Sequence, residues 1–286
     1  MPPFPRRLWD ESLQPALRAL GVDVRRYPPQ EPPPWTQGAF YDLLNSRKAD
    51  PSGRQMAGKD EIAFLLYCFE HAAESNAQLL QDLFVRHELQ GLRGGFFVEF
   101  GAADGINLSN SWGLETHLAW RGILAEPARN WHERLKLNRA CTVETRCVWS
   151  RTGEILQFNE VPVSEFSTIA AFTDKDQRAD ARRNGVLYDV ETISLLDLLD
   201  EHAAPPCIDY LSIDTEGSEL TILEAFDFSR YLVRTITVEH NYTSDREKIH
   251  ALLTARGFQR KFTEFSNFDD WYVNRSASAA QGVSGQ

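Results

Sequence analysis

The sequence predicts an α/β fold: a mainly parallel sheet of seven strands with helices on both faces. Three observations carry this. From residue 94 onward, short apolar runs alternate with segments of helical periodicity. The strand-like runs are apolar, which suits strands covered on both sides. The acidic and polar residues with chemical potential follow those runs, at the carboxyl ends where such sheets bind ligands.

The elements are read in order. Residues 1–60 look irregular, with prolines at 28, 29, 32, 33 and 34 that favour extended backbone, after a short helix over 13–20. Over 59–90, Ile62, Leu65, Leu66, Phe69, Leu79, Leu80, Leu83 and Phe84 recur at helical spacing and predict one or two helices on the main domain. Strands are then expected at 95–100, 123–126, 142–149, 208–214 and 233–239, with a hairpin-like pair around Gly153 and a terminal hairpin from 258–262 and 271–274. Helices fit at 110–120, 131–137, 194–202, 216–226 and 244–256. The stretch 159–185, with Ser164, Ser167, Thr168, Arg178, Arg182 and Arg183, fits no element and reads either as a substrate loop or as a surface helix with solvated arginines. The expected organisation is an N-terminal extension over 1–90, the sheet domain over 91–275 and a disordered polar tail over 276–286.

Bulk properties narrow the function. The 286 residues suffice for one large α/β domain, or for one of roughly 200 residues with an extension. A formal net charge of −11 disfavours binding to a nucleic-acid backbone. Cys68, Cys141, Cys147 and Cys207 show no C-x-x-C spacing and read as reduced, mostly buried thiols of a cytoplasmic protein. The two N-terminal arginines are followed by no apolar stretch of the secretory type, and no apolar run reaches ten residues, so no transmembrane segment is expected.

The first motif is Glu99-Phe100-Gly101-Ala102-Ala103-Asp104-Gly105, directly after an apolar strand. Its glycines let backbone approach a ligand closely. Ser109 or Asn110 suits the cap of the next helix, whose free amides favour a carboxylate such as the methionine end of S-adenosylmethionine (SAM). A dinucleotide site uses G-x-G-x-x-G for its pyrophosphate. Here the spacing is G-x-x-x-G with acids on both sides, a charge pattern that favours a cationic sulfonium ligand. Glu99 is placed to balance the ligand's amino group or sulfonium. Glu126, ending Gly122-Ile123-Leu124-Ala125-Glu126-Pro127 about twenty residues later, is placed to accept the hydroxyls of a ribose, and Pro127 turns the chain. The expected cofactor pocket therefore comprises Glu99, Gly101, Ala102, Asp104, Gly105, Ser109, Asn110, Glu126 and Pro127.

Two more strand ends carry acids. Asp214 closes the fourth strand, Glu216 is expected to open the next helix, and Glu219 reads as a capping acid. The fifth strand ends Val238-Glu239-His240-Asn241, which makes His240 the one histidine in position to act as a general base. A lone histidine is usually structural, but this one follows a strand that points at the expected cleft.

These runs (97–105, 108–111, 114–115, 120–127, 212–219 and 238–241) resemble the FkbM-type methyltransferases over about residues 90–275. The resemblance implies a class I, Rossmann-like fold, SAM as methyl donor, and a hydroxyl of a sugar, glycolipid or natural product as acceptor. Ala103 departs from the glycine many class I enzymes have at mid-turn, and is expected to adopt ordinary backbone angles. The catalytic candidates are His240, Asp214 and Glu216. Metal assistance is the alternative, with Asp214, Glu239 and His240 as ligands of Mg²⁺. The rival functions are a non-catalytic SAM-binding protein, a NAD-type oxidoreductase, or a partner domain carried by the N-terminal extension. Arg178, Arg182 and Arg183 are candidates to hold an acceptor phosphate. The acceptor's identity and the formation of a homo-oligomer stay open.

Overall fold

The structure, a computed structural model, describes residues 59–162, 166–174 and 179–275. The expected helix over 13–20, the proline-rich segment, Ser164, Arg178 and the tail over 276–286 lie outside the described residues. Two helices come first, α1 (Lys59–His71) and α2 (Gln81–Glu88). The chain then runs β1 (Phe96–Phe100), α3 (Trp112–Leu118), β2 (Arg121–Ala125), α4 (His132–Asn138), β3 (Thr142–Glu144), β4 (Cys147–Trp149), β5 (Ile155–Glu160) and β6 (Thr168–Ile169). It continues with α5 (Ala179–Arg182), β7 (Val186–Ser194), α6 (Leu195–Glu201), β8 (Cys207–Ile213), α7 (Glu219–Ala225), β9 (Leu232–Glu239), α8 (Asp245–Ala255), β10 (Phe258–Lys261) and β11 (Asp269–Asn274).

The main sheet has seven strands in the order β10-β11-β9-β8-β1-β2-β3. The pairs among β9, β8, β1, β2 and β3 are parallel, and β11 is antiparallel to both its neighbours. The fold is thus a Rossmann-like sheet with one reversed strand. Strand order reverses between β1 and β8, so the crevice opens at the carboxyl ends of these two strands.

Each strand turns alternate residues to opposite faces. Val98, Phe100, Ile213 and Ile236 pack with Leu198, Ile222 and Leu253 from α6, α7 and α8. Phe97, Tyr210 and Trp271 pack on the other face with Phe64, Leu83, Phe84 and Leu114 from α1, α2 and α3. Phe84 stacks on Trp271 with ring centroids 5.1 Å apart, and Phe64 on Phe262 at 4.6 Å. Among the described residues no helix is long and apolar enough to cross a membrane.

One part of the topology departs from expectation. The single strand expected over 142–149 is two strands in different sheets, because Glu144 accepts the amides of Thr145 and Arg146 at 2.9 and 2.8 Å and so turns the chain out of the ladder. Nor do β4 and β5 form a hairpin around Gly153. They flank β7 in a second sheet ordered β4-β7-β5-β6, in which β4 pairs parallel and β5 antiparallel to β7. The described part of the stretch 159–185 adds β6 to this sheet and carries the short α5.

Candidate functional site

The cleft lies where the switch in strand order places it. Its walls include Glu99 near the end of β1, Gly101 and Ala103 after it, Glu126 and Pro127 after β2, Asp214 and Glu216 after β8, and Glu239 at the end of β9. Gln78, Gln81 and Asn110 line it from the helical side, and Phe158, Phe166, Ser167 and Ile169 from the second sheet.

The glycine turn is built by close packing. Gly101 has φ +75°, and a Cβ there would lie 2.0 Å from the carbonyl oxygen of Asp214, so the two strand ends touch through backbone. Gly105, at φ +80°, is packed against Leu135 and Arg139. Ala103 does not keep ordinary angles. Its φ is +47°, and its N–H donates to Glu126 Oε2 at 2.8 Å. That hydrogen bond ties the β1 turn to the acid after β2 and holds a non-glycine residue in the left-handed region.

The acids divide by what they hold. Glu99, 2 % exposed, accepts the Asn110 amide at 2.8 Å and the hydroxyls of Ser109 and Ser111. Its carboxylate therefore organises the start of α3. Asp104 accepts the amides of Ile106 and Asn107 at 2.9 and 2.8 Å, which makes it a turn residue. Glu126 accepts Ala103 N on one oxygen and Ala128 N on the other, both at 2.8 Å. Burial pushes its carboxyl up to about 7 against those two amide bonds, helped by the charges of Asp214 and Glu160.

Beyond β8, Glu219 Oε1 accepts the amides of Thr215 and Gly217 at 3.0 and 2.9 Å, as a capping acid does. This folds the preceding residues into a loop, so Glu216 does not open the helix: α7 starts at Glu219, and Glu216 is a loop residue with φ +58°. Its carboxylate meets the fully buried guanidinium of Arg182 at 2.7 Å. Oxygens of Asp214, Glu216 and Glu239 lie within 4.8 Å of one another.

Residues 99–271 match the sequence profile of the methyltransferase FkbM domain. The chain belongs to the FkbM methyltransferase family. No curated protein sequence matches it. Among solved structures it is similar to a methyltransferase from Geobacter sulfurreducens, with 12 % identity, 83 % of this chain and 94 % of that chain covered, and a TM-score of 0.37. It is also similar to precorrin-6y C5,15-methyltransferase from Geobacter metallireducens GS-15, with 12 % identity, 67 % and 85 % coverage and a TM-score of 0.33.

Within this FkbM domain, the cleft gathers Glu99, Gly101, Asn110, Glu126, Pro127, Asp214, Glu216 and Glu239. Ala102 is buried in the core beneath the turn, while Asp104, Gly105 and Ser109 shape the turn from outside the cleft. His240 is not brought there. Its Nδ1 accepts the Tyr242 amide at 3.0 Å, and its Nε2 lies 3.8 Å from Asp270, which also pairs with Arg246 and Arg260. Burial holds its pKa below the usual histidine range, against the pull of Asp270. The third side chain clustered with Asp214 and Glu239 is Glu216 rather than His240.

Of the three arginines, the two that are described have other partners. Arg182 is spent on Glu216 and on the carbonyl of Phe166 at 2.8 Å, and exposed Arg183 pairs with Asp180 at 2.8 Å. Cys147 lines the cleft, but burial pushes its thiol up to about 12, so it serves as wall.

Sequence reasoning missed Arg139, which bridges Glu115 (2.6 Å), the carbonyl of Gly105 (3.0 Å) and the hydroxyls of Ser109 and Ser111 (3.0 and 2.9 Å). It lies in an unremarkable helix end, and only its burial distinguishes it. It also missed Gln81 and Asp269, joined at 2.7 Å across 188 residues of sequence.

Proposed function

We propose that this FkbM-family methyltransferase takes SAM as donor and methylates a hydroxyl oxygen of a sugar, glycolipid or natural-product acceptor. The observation that carries the donor assignment is the joining of Gly101, Glu126 and Asp214 in one cleft whose described walls hold five acids and no lysine, arginine or histidine. That charge pattern suits a sulfonium and disfavours the pyrophosphate of a dinucleotide.

When bound, SAM supplies an electrophilic methyl group and departs as the neutral thioether S-adenosylhomocysteine (SAH). Glu126 accepts the ribose hydroxyls while Ala103 and Ala128 hold its carboxylate in place. The backbone at Gly101 lets the adenosine and methionine portions approach the strand ends. Asp214, the least buried of the three clustered acids, takes the proton of the acceptor hydroxyl as the new oxygen–carbon bond forms and the carbon–sulfur bond breaks. A base so placed contributes on the order of 10²–10⁴-fold. Glu216, held by Arg182, and Glu239 orient the hydroxyl.

The same three carboxylates fit a hard divalent cation such as Mg²⁺, which would lower the hydroxyl's pKa. Calorimetry with SAH and with NAD tests the donor: SAH binding without NAD binding is expected, and no SAH binding at high protein concentration refutes the reading. Labelled-SAM assays over sugar and natural-product hydroxyls, with and without EDTA, test the acceptor and the metal. His240→Ala is expected to keep activity and Asp214→Asn to lose at least about 100-fold.

A further inference from the structure

We propose that Gln81, on the helix preceding the segment shared with the FkbM family, is a positioning residue of the cleft: through Asp269 it sets the row of strand-end acids that faces the cationic donor. The inference rests on reading the cleft as a SAM site.

Asp269 and Glu239 are register partners at the end of the antiparallel β9–β11 pair, so their side chains stand on one face of the sheet at neighbouring positions. Asp214 follows Ile213, the last β8 residue paired with β9, and continues that row. Asp269 is 4 % exposed. The Gln81 amide reaches it from across the fold, Nε2 donating to Asp269 Oδ2 at 2.7 Å. The orientation of that amide is fixed from the other side, because Leu79 N donates to Gln81 Oε1 at 2.8 Å. Gln81 is itself 2 % exposed and lines the cleft.

The loop that leads into Gln81 and α2 is clamped to the cofactor half as well. Asn76 Nδ2 donates to the carbonyl of Ile106 at 3.1 Å, and Ala77 bridges to Leu108, just beyond the glycine turn. Leu80, between the two anchors of the amide, has φ +63°, the kind of left-handed non-glycine residue that tertiary contacts must hold. One short loop thus spans both halves of the cleft. A buried carboxyl beside two other acids depends on its donors. Removing the Gln81 N–H lets Asp269 turn toward another donor and displaces the row beside it. Such a displacement acts on the charge of the sulfonium and leaves the adenosine contacts at Glu126 and Gly101 untouched.

The test compares SAM, which carries that charge, with SAH, which does not. Calorimetry on the full chain is expected to show SAM preferred over SAH by the wild type, and that preference reduced roughly 3–10-fold in Gln81→Leu with SAH affinity within about twofold of wild type. Gln81→Met, which matches the length of the glutamine, removes the same N–H without placing a new charge beside Asp269, whose burial pushes its carboxyl up to about 8. It is expected to lose the preference too, and it carries the test where the leucine variant does not fold. In an Asp269→Asn background, Gln81→Leu is expected to change the ratio no further. Equal weakening of SAM and SAH, or no change in either, overturns the role given to Gln81 while leaving the SAM site standing. Absence of SAH binding by the wild type overturns both.

Discussion

Ala103 and Glu126 show how one hydrogen bond sets both the shape and the pH response of the cofactor half. Ala103 holds φ +47°, a region that costs an L-residue roughly 1–2 kcal/mol, and its amide is fixed by Glu126. Ala103→Gly is therefore expected to raise stability by about 0.5 kcal/mol, the gain being trimmed by glycine's greater unfolded-state entropy, as read from urea midpoints. Gly101→Ala is the opposite case: the Asp214 carbonyl oxygen 2.0 Å from the new Cβ cannot yield without moving β8. A loss of about 3 kcal/mol and of SAH binding is expected. Glu126 carries the pH prediction. Its folded pKa of about 7 lies above the unfolded value near 4.3, so its contribution to stability is fully present below about pH 4 and is lost as pH rises through 7. Binding runs the other way, because the ionised carboxylate is the better acceptor for ribose hydroxyls. SAH affinity is expected to fall by up to about tenfold per unit as pH drops below 7, by calorimetry at pH 6, 7 and 8. Glu126→Gln is expected to flatten that profile, and an unchanged slope in this variant would place the titrating group elsewhere.

At the scale of elements, what could be read in advance were the strands of the main sheet and their ends. Glu99, Glu126, Asp214 and Glu239 each follow an apolar run, and a run that ends in an acid announces both the strand and its functional end. The second sheet carried no such signal. β4 and β5 are short, and their partner β7 lies some forty residues further along, so nothing local tells a β4–β5 hairpin from two strands flanking a third. The direction of Arg182 was equally hidden: solvated and buried arginines look alike in sequence, and burial follows from Glu216, 34 residues away. That pair fastens Phe166, Thr168 and Arg182 to the cleft, with Arg182 Nε on the carbonyl of Phe166 and the Thr168 hydroxyl on the carbonyl of Glu216 at 2.9 Å. Removing one partner of a buried pair strands the other charge. Arg182→Met is expected to destabilise by about 3–5 kcal/mol. The double variant Arg182→Met/Glu216→Gln is expected to recover a large part of that loss, which chemical denaturation of the four proteins measures as a coupling energy.

At the scale of the whole molecule, the family profile begins at residue 99, yet the hydrophobic core does not. Phe64, Leu83, Phe84 and Val85, each no more than 2 % exposed, come from α1 and α2 and fill one face of the sheet against Phe97, Tyr210 and Trp271. The helical periodicity of 59–90 announced that these helices would pack on the domain. It could not announce which strands they cover, because that follows from the strand order. Full burial of such side chains contributes about 1.5–3 kcal/mol each, and a domain's net stability is only about 5–15 kcal/mol. A chain beginning at Arg93 thus loses a layer worth as much as the fold itself, and also exposes Trp271 and Tyr210. It is expected to show no cooperative thermal transition and no near-ultraviolet circular dichroism. Phe84→Ala in the full chain isolates the packing contribution, with an expected loss of about 3–5 kcal/mol and SAH affinity kept once the protein is folded. A cooperatively melting, SAH-binding chain over 93–275 would make the two helices an accessory, and would leave the residues that the FkbM profile covers as the true folding unit.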